Sequence, residues 1–285
     1  MTTASQPSGS PSVPPPSRLA APKPVGLVES TRESVVNFLH QMGQITAMTL
    51  LTVRAGFKRP FEWREVTRQV ESLGVASVGI VTVTSVFIGM VMAIQFAYGL
   101  SKFGGMEYTG RVIALSFARE LAPTLTAVIV GGRIGAGMAA EVGSMAVTEQ
   151  IDAVRALGAD PLKKLVWPRL LAAVIVMPLL SGFAMVLGFT GAMVVTDMQF
   201  NIPSGFFLRS GLDSVWMQDY LQGMLKTPFF GAIIALVGCH NGMNTRGGTA
   251  GVGAATTRTV VVTSITILIA DYFLTKASIL AWPAE

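Results

Sequence analysis

The sequence predicts an all-α integral membrane protein with an N-terminal interfacial helix, five transmembrane helices, and a cytoplasmic helix between the second and third. Three observations carry this reading. Only 13% of the residues are charged and the mean hydropathy is +0.56, whereas a soluble domain carries about 25% charge. Apolar stretches long enough to cross about 30 Å of hydrocarbon recur along the chain. Between two of them lies a charged segment, residues 141–164, too patterned for a spacer.

The chain divides into a Pro/Ser-rich tail at 1–24, an interfacial amphipathic helix at 25–58 and a transmembrane domain at 59–285. The tail has no apolar core and reads as disordered. It has no basic segment leading into an apolar run, so it does not read as a secretory signal. After it, Val28, Val35, Phe38, Leu39, Met42, Ile45, Leu50 and Val53 return at helical spacing, with polar residues on the other face. That pattern suits a helix lying in the membrane surface. Arg54, Lys58, Arg59, Arg64 and Arg68 then form a basic cluster.

The first span is expected at 75–100. Ser85, Gly89, Ala93, Ala97 and Ser101 recur every fourth position, a small stripe that lets another helix approach closely. Gln95 is its one strongly polar side chain. The second span, 111–140, carries Arg119, Glu120, Pro123 and Arg133, and repeats the stripe at Gly131, Gly135, Ala139 and Gly143. The third, 170–196, is uncharged, with Pro178 as a kink. A polar loop is expected at 197–213. The fourth span, 215–243, holds Asp219, Lys226 and Pro228, which places its first half at an interface. A Gly/Thr-rich loop follows at 241–258, and the last span, 259–282, carries Asp271 and Lys276. Lys and Arg are denser before the first span, at 155–169 and at 246–258 than in the alternate loops. That puts the N-terminus and the 141–169 loop in the cytoplasm and the C-terminus outside.

Charges inside spans are functional candidates, because burying one costs several kcal/mol unless it is paired or wetted. Arg119 and Glu120 are adjacent, so on a helix they point about 100° apart. Either they pair with charges on other helices, such as Asp271, or they line a polar cavity that meets a charged headgroup. Residues 141–157 read as one short amphipathic helix. Met145, Val147, Ile151, Val154 and Leu157 are apolar, and Glu141, Glu149, Asp152 and Arg155 are charged. Ala159-Asp160-Pro161 ends it, since a residue before proline avoids the helical region.

Several chemistries are excluded. The single cysteine, Cys239, allows neither an intrachain disulfide framework nor a cysteine metal cluster. His40 and His240 stand apart with no clustered ligands, so no metal site is expected. No phosphate-binding G-x-x-x-x-G-K-[ST] occurs. Gly135-x-Gly137-x-x-Ala140 mimics a dinucleotide fingerprint but lies in a membrane helix without a preceding strand. The net charge of +5 sits at span ends, where orientation signals belong, and implies no nucleic acid.

The motif set resembles the MlaE/YrbE permeases, the membrane subunits of MCE-type lipid ABC transporters. It comprises Phe87-Ile88-Gly89-Met90-Val91, Arg119-Glu120-Leu121-Ala122-Pro123, Gly132-Arg133, Ala140-Glu141-x-Gly143-x-Met145, Thr148-Glu149-Gln150, Asp160-Pro161-Leu162, Pro168-Arg169, Pro178-Leu179-Leu180, and the strings at 255–261 and 271–275. The resemblance implies a permease in the bacterial inner membrane that pairs with a second copy of itself. A separate cytoplasmic ABC ATPase would carry ATP and Mg, and this chain would hold no cofactor. A periplasmic ring of MCE-domain protein, and a STAS-domain protein on the ATPase, are the further partners implied. The cargo would be phospholipid moving between inner and outer membranes. By position, the resemblance places lipid at Met92, Gln95, Gly99, Leu100 and Phe103, with Arg119 and Glu120 at the headgroup. Glu141, Gly143, Met145, Thr148, Glu149, Asp152 and Asp160 would form the ATPase-coupling segment.

Two other classes remain open from the residues. An ion-coupled secondary transporter would use Glu120 and Asp271, and would favour inverted repeats. A non-transporting membrane scaffold would need no buried charges.

Overall fold

The computed structural model describes residues 27–56 and 63–281. The expected tail at 1–24, and Lys58 and Arg59 of the basic cluster, lie outside the described residues. The chain divides into two units, Met1–Gly43 and Gln44–Glu285. In the first, the described residues belong to helix α1, Leu27–Gly56, which continues into the second. Among the described residues there is no strand, and five helical stretches are long and apolar enough to cross a membrane.

The first of these is α2, Trp63–Ser101. Four members of its small stripe, Ser85, Gly89, Ala93 and Ala97, are buried, while Ser101 at the helix end is exposed. The neighbour is α6, Trp167–Phe200. A Cβ at Gly89 would lie 1.9 Å from the Gly188 carbonyl oxygen, so the two backbones touch and no side chain fits between them.

The second span is one helical stretch, Met106–Val147, built in four parts. A 3-10 turn, Met106–Tyr108, leads into helix α3, Thr109–Ser116, which passes into a wide π-helical stretch, Phe117–Leu125, and then into α4, Thr126–Val147. Pro123 lies in the π stretch. It has no N–H to donate, and a widened turn is a common way to absorb that loss within a helix. The α4 stripe is buried between α8, Met217–Met243, and α9, Gly248–Ala281. At Gly131 a Cβ would meet the Ile234 side chain at 2.9 Å, and at Gly135 the Thr259 methyl at 3.2 Å. Arg133 Nη1 donates to Ser77 Oγ of α2 at 3.0 Å.

Three connections differ from expectation. The segment read as one helix over 141–157 is broken. Helix α4 ends at Val147, Glu149 adopts a left-handed φ of 58°, and α5 covers only Gln150–Ala156. The turn redirects the chain so that Ile151 is buried, while Leu157, expected on the same apolar face, is 86% exposed. The polar loop at 197–213 contains α7, Ser204–Leu212, which packs Phe207 against Phe189 with ring centroids 5.0 Å apart. The Gly/Thr-rich loop is largely helix, because α9 starts at Gly248. Its threonines satisfy their hydroxyls on their own helix, Thr256 to the Gly253 carbonyl at 2.7 Å and Thr259 to the Ala255 carbonyl at 2.8 Å.

Candidate functional site

The charged residues of the second, fourth and fifth spans converge. Arg119 and Glu120 sit on the π stretch, and both reach α8. Arg119 Nε donates to Asp219 Oδ1 at 2.7 Å, and its Nη2 pairs with the same oxygen. Asp219 lies in the first turn of α8 and is buried. Its other oxygen accepts the Trp216 backbone N–H at 2.9 Å. That position suits a carboxylate twice over, because the first-turn amides of a helix lack partners and the helix end is partially positive.

Two turns further along α8, Lys226 is buried with only 4% of its side chain exposed. Its ammonium donates to Glu120 Oε1 at 2.7 Å, to Thr275 Oγ1 at 2.6 Å, to Asp271 Oδ1 at 3.3 Å and to the Arg119 carbonyl at 3.3 Å. Thr275 in turn donates to Glu120 at 3.0 Å. The network therefore sets two cations against three carboxylates across three spans. Arg119 and Glu120 are each 38% exposed, so the network is open on that side. Arg119 lies about 15 Å along the helix axis from Thr109, at about 1.5 Å per residue, inside a stretch long and apolar enough to cross a membrane.

Asp271 pairs with Lys226 rather than with Arg119, so the structural partner expected from the sequence is a different one. Sequence reasoning noted Asp219 and Lys226 but assigned them no role. A signal was present: two charges seven residues apart share one helix face, in a span otherwise apolar enough to cross a membrane.

The remaining expected lipid contacts stand apart. Gln95 and Gly99 lie on the exposed surface of α2, with Met92 and Leu100 half-buried beside them. Phe103, beyond the end of α2, is 88% exposed. The hydrogen bonds and ion pairs of Arg119 and Glu120 run to α8 and α9, not to α2.

At the opposite end of the spans, the expected coupling residues divide into two sorts. Gly143 is buried, and a Cβ there would meet Thr245 Oγ1 at 3.0 Å. Met145 is half-buried. Glu141 pairs with Arg169 of α6 at 3.1 Å, while Arg169 also donates to the Leu165 carbonyl at 2.9 Å. Thr148, Glu149, Asp152 and Asp160 are exposed on the connection itself. Asp152 pairs with Arg155 at 2.8 Å, and Asp160 caps the Leu162 N–H at 2.9 Å. Among the described residues no group of His, Cys, Asp and Glu is arranged to hold a metal ion.

The family model described as Permease MlaE matches residues 66–277. The chain is 37% identical over 219 residues to the Arabidopsis thaliana protein TRIGALACTOSYLDIACYLGLYCEROL 1, chloroplastic. That stretch is 77% of this chain and 63% of the relative, so the chain spans less than two thirds of that protein. A "probable ABC transporter permease protein" of Rickettsia typhi is 37% identical over 241 residues, 85% of this chain and 93% of the relative. A Synechocystis protein of the same description is 39% identical over 211 residues, 74% and 80% of the two chains.

Proposed function

This chain belongs to the MlaE permease family, and from that premise we propose that it is the membrane subunit of an ATP-driven transporter that moves phospholipid between membranes. The observation that carries the lipid reading is the half-open Arg119–Asp219 and Lys226–Glu120–Asp271 network within the apolar spans. A buried structural network closes over its charges. This one leaves a guanidinium and a carboxylate partly exposed on one side.

The chemistry follows from the donors. A guanidinium has five N–H groups in a rigid fork. Asp219 engages Nε and Nη2 of Arg119, which holds the plane in place and leaves the Nη1 side for a phosphate oxygen. Charge-assisted N–H···O bonds of this kind are roughly twice as strong as neutral ones. Asp219 is a positioning residue, and its N-terminal place on α8 suits a carboxylate facing the guanidinium.

ATP hydrolysis is assigned to a separate cytoplasmic ATPase that docks on the connection between the second and third spans. Thr148, Glu149, Asp152 and Asp160 offer it an exposed polar face, and Gly143 and Met145 pack the base of that connection. The location is the inner membrane of a bacterium, with the N-terminus cytoplasmic and the C-terminus periplasmic. The further partners are a second copy of the chain, an MCE-domain ring and a STAS-domain protein. The Arabidopsis relative is named for a glycolipid, which agrees with a lipid cargo.

The test is lipid analysis by mass spectrometry of the complex purified with its ATPase. Arg119→Gln combined with Asp219→Asn removes the guanidinium without stranding a carboxylate. The expected result is an assembled complex stripped of co-purified lipid, with lost lipid stimulation of ATP hydrolysis. A full lipid load in that double variant overturns the headgroup role.

A further inference from the structure

A groove of about 220 Å³ runs between α8 and α9, beside the charged network through Lys226. Its walls are Leu225 and Phe229 of α8 and Leu274 and Ala277 of α9, with Lys226 and Gln222 on the α8 side. Leu225 and Phe229 are 49% and 58% exposed, so the apolar wall is uncovered.

Gln222 is the unusual member. It is only 8% exposed, yet among the described residues its side-chain amide has no hydrogen-bond partner. An amide in an apolar wall without a partner from its own chain has bonding capacity to offer a ligand, and this one borders the groove. Lys226 does not compete for a ligand there. Its ammonium has three N–H donors, and four acceptors already surround it: Glu120, Thr275, Asp271 and the Arg119 carbonyl. No cation is therefore free inside the groove for a phosphate, and the polar group this pocket takes is a neutral one.

Spacing then narrows the ligand. Asp219, Gln222 and Lys226 follow one another down one face of α8, and the step from Asp219 to Gln222 is about 4.5 Å along the axis. A phosphate at Arg119, which Asp219 holds, would have its glycerol backbone about one step deeper and its hydrocarbon deeper still. In a diacyl phospholipid the group at that depth is an ester carbonyl, a neutral acceptor.

We propose that the α8–α9 groove holds one acyl chain of a diacyl phospholipid, and that Gln222 Nε2 donates to that chain's ester carbonyl. Phe229 and Leu274 then contact the methylenes, and Gln222 reads the linkage between chain and glycerol. The proposal rests on the lipid reading above and assigns it a tail site away from Met92, Leu100 and Phe103.

The test uses the full-length chain in its membrane complex and phosphatidylethanolamine carrying a photoactivatable diazirine on one chain, either ester-linked or ether-linked. Irradiation of the ester lipid labels peptides covering 222–229 and 274–281. The ether lipid labels them about fivefold less, the loss of one hydrogen bond worth about 1 kcal/mol. Gln222→Leu abolishes the ester-over-ether preference. Ala277→Trp fills the groove and removes the label with Gln222 still in place, which covers the case of a Gln222 variant that fails to fold. Equal labelling by ester and ether lipids overturns the role of Gln222. Label confined to 92–103, with lipid load still lost on removing Arg119, overturns the groove while leaving the headgroup reading standing. Lipid load that survives the loss of Arg119 sinks the headgroup reading itself. A disulfide between two Phe229→Cys copies, with the groove unlabelled, shows that a second copy covers it and overturns the proposal.

Discussion

At one end of the spans Lys226 is 4% exposed and holds Glu120 and Asp271, which are 38% and 17% exposed. At the other end Arg169 is 10% exposed, but its carboxylate partner Glu141 is 61% exposed. Both clusters tie one span to another, and both place a long cationic side chain in the packed interior. They differ in how the cation is compensated. Lys226 depends on carboxylates that the bundle partly encloses. Arg169 has the Leu165 carbonyl, just before its own helix, at 2.9 Å and a carboxylate that water can reach. A partly enclosed, multiply bonded network does not tolerate the loss of its cation, whereas an ion pair with one partner in water contributes about 0–1 kcal/mol. The same kind of contact is costly to lose at one end and nearly dispensable at the other.

The largest effect is expected from Lys226→Met. It strands Glu120 and Asp271 beside each other, and removing one partner of a buried ion pair costs about 3–5 kcal/mol. The protein should be depleted from the membrane fraction by immunoblot and show a lowered thermal midpoint in detergent. Normal levels in that variant would remove the distinction between the two ends.

Next comes Arg119→Ala alone, which leaves the buried Asp219 carboxylate without its guanidinium but still bonded to the Trp216 N–H. A smaller loss of membrane level than for Lys226→Met is expected, and Asp219→Asn in addition should restore it. If the second change does not restore the level, the pair is not what sets stability there.

Glu149→Lys reverses a charge on the exposed connection, where no packing is disturbed. Membrane level should stay normal while co-purification of the ATPase falls. Unchanged ATPase binding and transport in this variant would move the docking surface elsewhere. Glu141→Gln should shift stability by no more than about 1 kcal/mol, checked by the same thermal midpoint. A loss near that of Lys226→Met would mean that the Glu141–Arg169 pair is enclosed in the assembled protein.

The smallest perturbation sharpens which end faces which compartment. Ala156→Cys and Gly105→Cys, each in a Cys239→Ser background, are treated with an impermeant thiol reagent on intact spheroplasts. Label at 105 and none at 156 is expected. The reverse pattern would exchange the two sides and move the open network to the cytoplasmic leaflet.

Much of the fold was legible because membrane insertion is a local requirement. A span needs only length and apolarity, so all five appear as runs in the sequence. The stripes at Gly89 and Ala93, and at Gly131, Gly135 and Ala139, were visible for the same reason, since a four-residue period is a property of one helix. Errors fell where local cues are weak. Glu149 has no glycine's freedom yet takes a left-handed turn, and it breaks the expected 141–157 helix to bury Ile151. The Gly/Thr-rich stretch from Gly248 looks like a loop, but its threonines bond their own helix.

The sequence by itself determined that Arg119, Glu120, Lys226 and Asp271 lie within apolar spans, because hydrophobic context is read within about twenty residues. Only the tertiary structure decided who pairs with whom. Asp219 is 100 residues from Arg119, and Lys226 is 106 from Glu120 and 45 from Asp271. Those partners are set by how α4, α8 and α9 approach through their small residues. The physical reason is that the cost of an unpaired charge is local, while its remedy is a distance between helices.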